Sequence, residues 1–326
     1  MKAMKKIYIS ILSVIISFIL FGTVTYAFFG MSLINNVDGL NFSASSGDEL
    51  QMSLDGVNFY TKLPNSEIEK IFKDIALIDV TSTDGINFFT GGLNSVQVAK
   101  PNEHYISFDL WIRTSEREHS IYLINNISQE VEYDTERIGT YVISKGVPWV
   151  AKKGFMNGPF VTDWVEMGTI GIYHASESVR ISITELNDDL NTYQKDERTD
   201  LKTFMYDPSE DPNRGYGKSY GAFNYFFEVT RIWKSLPTYI PEVSYRLSKM
   251  DPNNPYQALD NESLVATLQP TGILDQKNRE YHQGKIKVNL WLEGWDADTF
   301  NSILGDQLRI QLQFKAARPA EQNGFN

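Results

Sequence analysis

In Trp291-Leu292-Glu293-Gly294-Trp295-Asp296 two carboxylates lie among tryptophans. Paired carboxylates of this kind serve glycoside hydrolysis, one as acid and one as base or nucleophile. Glu293 and Asp296, however, straddle the end of an alternating segment, where acids commonly cap the next element. Hard-oxygen chemistry is the better expectation. Asp207-Pro208-Ser209-Glu210-Asp211-Pro212-Asn213 gathers three carboxylates in one loop, and Asp296 with Asp298 adds two more, so calcium is the cofactor these residues could hold. Neither group has the ligand spacing of a helix-loop-helix calcium site, and solvated turns explain both without a metal.

Other chemistries find no footing. His104, His119, His174 and His282 are far apart and form no His-Glu-x-x-His, so they read as surface histidines rather than zinc ligands. There is no Gly-x-Ser-x-Gly elbow, Walker loop or dinucleotide fingerprint. Cysteine is absent, which removes disulfides, thiolate metal sites and cysteine nucleophiles. The expectation is a protein that is not an enzyme. Tyr216, Tyr220 and Tyr225 form either a sugar-stacking platform or part of a core.

The elements that position these residues read as strands. Ile106, Phe108, Leu110 and Ile112 alternate with Ser107, Asp109, Trp111 and Arg113, the two-residue period of a half-buried strand. Ser178 to Glu185, Lys285 to Glu293 and Gln307 to Phe314 repeat the pattern, the last with Leu308, Ile310, Leu312 and Phe314 inward and Arg309 and Gln311 outward. Shorter candidates run over 50–54, 57–60, 75–81, 119–127, 137–144, 168–174 and 264–268. So many short strands separated by Gly, Asn, Asp and Pro predict an all-β fold, an antiparallel β-sandwich or jelly roll with short helices. Pro64-Asn65-Ser66 with Glu69, followed by Ile68, Ile71, Phe72 and Ile75, predicts one short helix around Glu67 to Lys73. Asp298 to Leu304, closed by Gly305, predicts a second helix of one or two turns.

Residues 185–241 break the strand rhythm with a charged stretch, a turn-rich loop and the aromatic run Phe223-Asn224-Tyr225-Phe226-Phe227. They read as an irregular insertion packed on the body or on a neighbour. No internal repeat stands out. The organisation expected is a signal peptide at 1–27, an N-terminal segment at 28–46, and a β-sandwich domain over 47–326 interrupted at 185–241.

Lys2, Lys5 and Lys6 precede an uncharged apolar run from Ile7 to Val24, and Thr25-Tyr26-Ala27 places small residues three and one before a cut between Ala27 and Phe28. This is the order of a signal peptide. The run is also long enough to stay as an uncleaved anchor, and with either fate the body lies outside the membrane. The polar C-terminus suggests noncovalent attachment. With 30 basic residues against 41 acidic, the chain carries a net charge of −11. Such a body repels nucleic acid and anionic lipid, so membrane contact is expected only through the N-terminal run.

Gly22-Thr23-Val24-Thr25-Tyr26-Ala27-Phe28-Phe29-Gly30 resembles the cleavage region of the TasA, CotN and camelysin group of secreted Gram-positive surface and matrix proteins, whose precursors are cut by a SipW-type signal peptidase. Val288 to Asp298, with Leu308 to Phe314, is similar to the closing hairpin of Firmicutes and Mollicutes surface proteins that share such signal peptides. The resemblance implies a secreted jelly-roll subunit of a cell-surface or biofilm-matrix fibre or coat, in which the freed N-terminal segment completes a neighbour's sheet. Phe28, Phe29, Met31, Leu33, Ile34, Leu40 and Phe42 are the apolar residues of that segment here. By its own pattern the segment is equally the first strand of its own sandwich. A monomeric adhesin that binds glycans or other surface proteins is the alternative.

Overall fold

Alternation becomes strand throughout the computed structural model, which describes residues 14, 35–44, 50–72, 75–90, 93, 96–116, 120–125, 131–135 and 137–321. Ile34–Asn326 forms one compact unit, separate from Met1–Leu33. The fold is all-β, built on two large mixed sheets. The first contains β1 (Asn35–Ala44), β3 (Ala76–Leu77), β8 (Ser120–Leu123), β9 (Tyr141–Ser144), β18 (Leu264–Thr267) and β21 (Gln307–Ala317). Its order is β18-β8-β21-β1-β3, with β9 also pairing β21.

The second sheet contains β2 (Gln51–Ser53), β4 (Asp79–Thr81), β5 (Phe89–Thr90), β6 (Gln97–Val98), β7 (Ile106–Thr114), β14 (Val179–Leu186), β15 (Thr203–Tyr206), β19 (Gln269–Leu274) and β20 (Glu280–Glu293). β20 is its spine, pairing with β14, β7, β19 and β4. The described residues also form three two-stranded ribbons: β10 (Val147–Val150) with β13 (Ile170–Tyr173), β11 (Phe155–Met156) with β12 (Trp164–Val165), and β16 (Met250–Asp251) with β17 (Asn254–Ala258).

The main core lies between the two sheets. Ile106, Leu110 and Ile112 of β7 and Ile286, Val288, Leu290 and Leu292 of β20 are fully buried, as are Leu308, Ile310, Leu312 and Phe314 of β21. Phe42 of β1 meets Phe108 of β7 edge to face at 5.2 Å. Two pairings are parallel rather than antiparallel, β1 with β21 and β4 with β20. Hydrophobic period fixes which side chains face inward but carries no sign of strand direction.

Several expectations need correction. β21 is buried on both faces: Gln311 accepts a hydrogen bond from the Tyr141 hydroxyl at 3.2 Å, and Gln311, Gln313 and Lys315 are buried beside the aliphatic row. Residues 57–60 form no strand, and only Tyr60 bridges back to Met52. The helix predicted after Asp298 is a single 3-10 turn, Asn301–Ile303. The first helix, α1 (Asn65–Phe72), forms as expected, buries Ile68, and lies against β1 and β7. His119 lies outside the described residues.

An internal repeat is present after all. Ser53-Leu54-Asp55-Gly56-Val57-Asn58-Phe59-Tyr60 and Ser82-Thr83-Asp84-Gly85-Ile86-Asn87-Phe88-Phe89 fold alike. In each, one aspartate oxygen accepts the backbone N–H groups two and three residues on, at 2.9 and 2.7 Å. The serine hydroxyl accepts the glycine N–H, and the glycines sit at φ +70° and +69°, a region that favours glycine. These cages close hairpins following β2 and β4. The hydrogen bonds it accepts hold the Asp55 carboxyl below its ordinary pKa, the Asn58 and Val57 N–H groups contributing most.

Residues 185–241 are only partly an insertion, because β15 pairs in register with β14 inside the second sheet. The aromatic run becomes helix α2 (Ala222–Thr230). It packs with β10 to β13 into a second, smaller aromatic core: Trp149 lies edge-on to Phe155, Tyr173, Tyr225 and Phe300 at 5.2–6.2 Å. Gly221 opens this helix with φ +62°, and a Cβ there would stand 2.1 Å from the Ala297 carbonyl oxygen, so only glycine fits.

Candidate functional site

Of the proposed assembly segment, Leu40 and Phe42 are described, whereas Phe28, Phe29, Met31, Leu33 and Ile34, with the cleavage pair Ala27 and Phe28, lie outside the described residues. Leu40 and Phe42 sit in β1, each 2 % exposed, within the chain's own sheet. β1 runs parallel to β21 from Asn36 opposite Gln307 to Ala44 opposite Phe314. One extra residue, Asp38, bulges out of this register and reaches Arg309 at 3.4 Å and the Tyr133 hydroxyl at 3.0 Å. The other edge of β1 is paired with β3 only at Asn35 and Asn36. From Asp38 onward α1 stands beside it, with Ile68, Glu69 and Phe72 lining a cavity of about 200 Å³ that reaches Tyr141 and Arg309. β1 is therefore held by one full ladder and a helix, not by two ladders.

The acidic residues converge more than their sequence positions suggest. β14 is registered on β20 with Arg180 opposite Trp291, which aims the guanidinium at the end of β20. There it ion-pairs with Asp207 at 2.7 Å and with Asp296, and donates to the Val179 carbonyl at 2.8 Å. Arg180, Asp207 and Asp296 are each at most 2 % exposed. Glu293 accepts from Trp291 Nε1–H at 3.0 Å and from the Trp295 N–H at 3.1 Å, and Asp298 is clasped by Arg214 at 2.5–3.0 Å. Burial raises the pKa values of Glu293, Asp296 and Asp207 above the ordinary carboxylate range. Burial also works against the charge of Arg180, but Asp296, Asp207 and Glu293 outweigh it and hold its pKa above the usual value.

This geometry speaks to both chemistries raised by the sequence. A glycosidase pair must touch its sugar, and Glu293 and Asp296 are 1 % exposed. Asp207, Asp296 and Asp298, three of the five calcium candidates, do come together, but Arg180 and Arg214 hold the positions a cation would take. Glu210 instead accepts from the Tyr206 hydroxyl at 2.9 Å, and Asp211 from the Asn213 N–H at 2.9 Å. Among the described residues no group of three or more His, Asp or Glu side chains has metal-holding geometry. Arg180 gave no signal because an arginine alternating with serine and threonine looks like a solvent face, and Arg214 because it stands in a turn-rich loop; Asp296 lies 116 positions from Arg180 and Asp298 lies 84 from Arg214.

The remaining candidates are dispersed. His104 accepts the Lys100 N–H at 3.1 Å, His174 lies 3.3 Å from the Ser144 carbonyl, and His282 sits on β20. Tyr216 and Tyr225 are buried, which removes two of the three rings from any sugar platform. Burial pushes the Tyr216 hydroxyl up to about 12. Compared with family models, curated proteins and solved structures, the chain matches none.

Proposed function

We propose that this chain is an exported structural subunit of a cell-surface or extracellular-matrix assembly, joined by exchange of strand β1 between copies. The observation that carries this reading is the seating of β1. It is the first described strand, it buries Val37, Leu40 and Phe42, and most of one edge lacks a strand partner among the described residues. A second copy's β1 restores the same ladder and apolar contacts. The signal-peptide pattern and the resemblance to secreted matrix proteins support the export half of the reading.

The absence of cysteine permits a direct test. Gln311 Nε2 lies 3.4 Å from Ser43 Oγ across the β1–β21 ladder. Ser43→Cys and Gln311→Cys are made in separate chains, mixed under assembling conditions and oxidised. Exchange joins one chain of each kind by a disulfide and yields linked species that reduction dissolves. If mixing gives no interchain disulfide while the double variant closes within one chain, β1 stays at home and the assembly reading fails.

A further inference from the structure

Within Asn35–Ala44 the single charged side chain is Asp38, and it stands where β1 bulges out of its ladder with β21. A bulged residue leaves the ladder and is free to turn its side chain to another partner. Asp38 Oδ2 accepts from the Tyr133 hydroxyl at 3.0 Å and lies 3.4 Å from Arg309 Nη2. Those two partners also hold each other: Arg309 Nη1 donates to the Tyr133 carbonyl at 2.7 Å, and the guanidinium lies over the Tyr133 ring at 4.6 Å. Arg309 belongs to β21 and Asp38 to β1, so Tyr133 bridges the two strands without being part of either.

Tyr133 is itself fixed by a turn, which Thr135 closes by donating its N–H and its hydroxyl to the Glu132 carbonyl at 3.0 and 2.9 Å. Burial, and after it the bond to Asp38, push the Tyr133 hydroxyl up to about 12, so it stays a donor at neutral pH. The set lies within reach of water, with the Arg309 and Asp38 side chains 33 % and 44 % exposed. It can therefore open while the core stays shut. The other side-chain fastenings of β1 are of a different kind. Asn35 Oδ1 accepts the Asp306 N–H at 2.9 Å where both residues are buried, and Ser43 Oγ meets the Gln311 amide at 3.4 Å. Leu40 and Phe42 hold the inner face by apolar burial, which many alternating strands could supply. Asp38 is the feature by which the place beside β21 distinguishes this strand.

We infer that Tyr133 and Arg309 form a latch that recognises the bulged Asp38 and sets how readily β1 leaves its place beside β21. A β1 arriving from a second copy brings the same aspartate and closes the same latch, so the device selects this strand and slows its release. The extension to a second copy rests on the strand-exchange reading, whereas the latch on the chain's own β1 does not.

Hydrogen exchange of the full chain, read by mass spectrometry on peptides from β1, β7 and β20, tests the latch without requiring assembly. Asp38→Ala and Tyr133→Phe each remove one side of the contact, and each should speed exchange in β1 about fivefold while β7 and β20 keep their rates. Because the two side chains act on each other, the double variant should exchange little faster than the faster single one. Unchanged β1 exchange in both single variants, or an equal rise in all three strands, overturns the latch. So does a double variant whose rise is the product of the two single ones, which would make the side chains independent. Mixed Ser43→Cys and Gln311→Cys chains that also carry Asp38→Ala should form their interchain disulfide several times faster than mixed chains that keep Asp38, and an equal rate overturns the latch. No interchain disulfide with or without Asp38 sinks strand exchange alone, and the latch then stands or falls on hydrogen exchange.

Discussion

Replacing Arg180 with methionine tests whether the buried network is what ties the smaller aromatic core to the second sheet. The side chain is buried, and its guanidinium is the cation facing Asp207 and Asp296. Methionine fills much of the same volume, so the loss is one of charge rather than of packing. Breaking a buried ion pair from one side costs about 3–5 kcal/mol, against a total stability of roughly 5–15 kcal/mol for a domain. The abandoned carboxylates have a second recourse, which is to take up protons. Their folded-state pKa values already exceed the unfolded ones through burial, so the folded state binds more protons and stability falls as pH rises through those raised values. Without Arg180 they rise further, and the deficit of the variant should be largest near neutral pH and shrink on acidification. Urea unfolding of both proteins at pH 7 and pH 5, followed by tryptophan fluorescence, measures this. Adding Asp207→Asn to the variant should recover part of the loss. A variant within about 1 kcal/mol of the parent at pH 7, or a deficit that does not narrow in acid, refutes the network as described.

Three further outcomes are expected. Burial pushes Asp79 of β4 up to about 6 from 3.8, so the ionised side chain weakens the fold as pH rises through that interval; Asp79→Asn should stabilise by up to about 3 kcal/mol at pH 7 and by nothing below pH 4 in pH-dependent melts. In β21, Ile310→Asp should cost about 4 kcal/mol by burying an unpaired charge, while Gln311→Ala should cost about 1 kcal/mol through its lost bonds to Tyr141 and Ser43; equal melting temperatures for the two would mean the facing of the strand is wrong. Millimolar calcium or a chelator should move the melting temperature by less than about 2 °C, since Arg180 and Arg214 already neutralise the clustered acids, and a rise of several degrees on adding calcium would contradict that.

The strands of the main core were legible wherever one face is wet. Ile106–Thr114 forms where alternation placed it, within a residue or two, because a row of aliphatic side chains two residues apart can bury only as a strand; Val179–Leu186 also forms there, but Arg180 and Ser182 on its other face are buried too. The pattern failed where a second layer covers the outer face. The end of β20 shows this: Asn289, Trp291 and Glu293 look like a solvent row in sequence but are buried, with Phe88 edge-on to Trp291 at 5.1 Å. That cover comes from the Ser82–Phe89 cage, a repeat that escaped notice because only the serine, Asp-Gly and Asn-Phe positions of its eight residues are identical.

The candidate site was legible in its acids and illegible in its cations, and the same physics accounts for both. Asp207 and the Asp296–Asp298 pair each lie in turn-rich sequence that marks them as candidate acids, but nothing in the sequence joins the two groups, and carboxylates brought together require a positive charge to stay ionised. Sequence spacing cannot say whether that charge is a metal or an arginine from a distant strand. The strand register decides it, since placing Arg180 opposite Trp291 aims the guanidinium at the end of β20. β1 presents the converse case. Its apolar residues were legible as a strand in want of a sheet, but whose sheet is a question of parallel pairing with β21, on which composition is silent. A ladder held on one side by a strand and on the other by α1 satisfies the monomer and can be satisfied equally by a second copy. On the strand-exchange proposal, fold and assembly are two occupancies of one slot, and the disulfide formed between Ser43→Cys and Gln311→Cys chains distinguishes them.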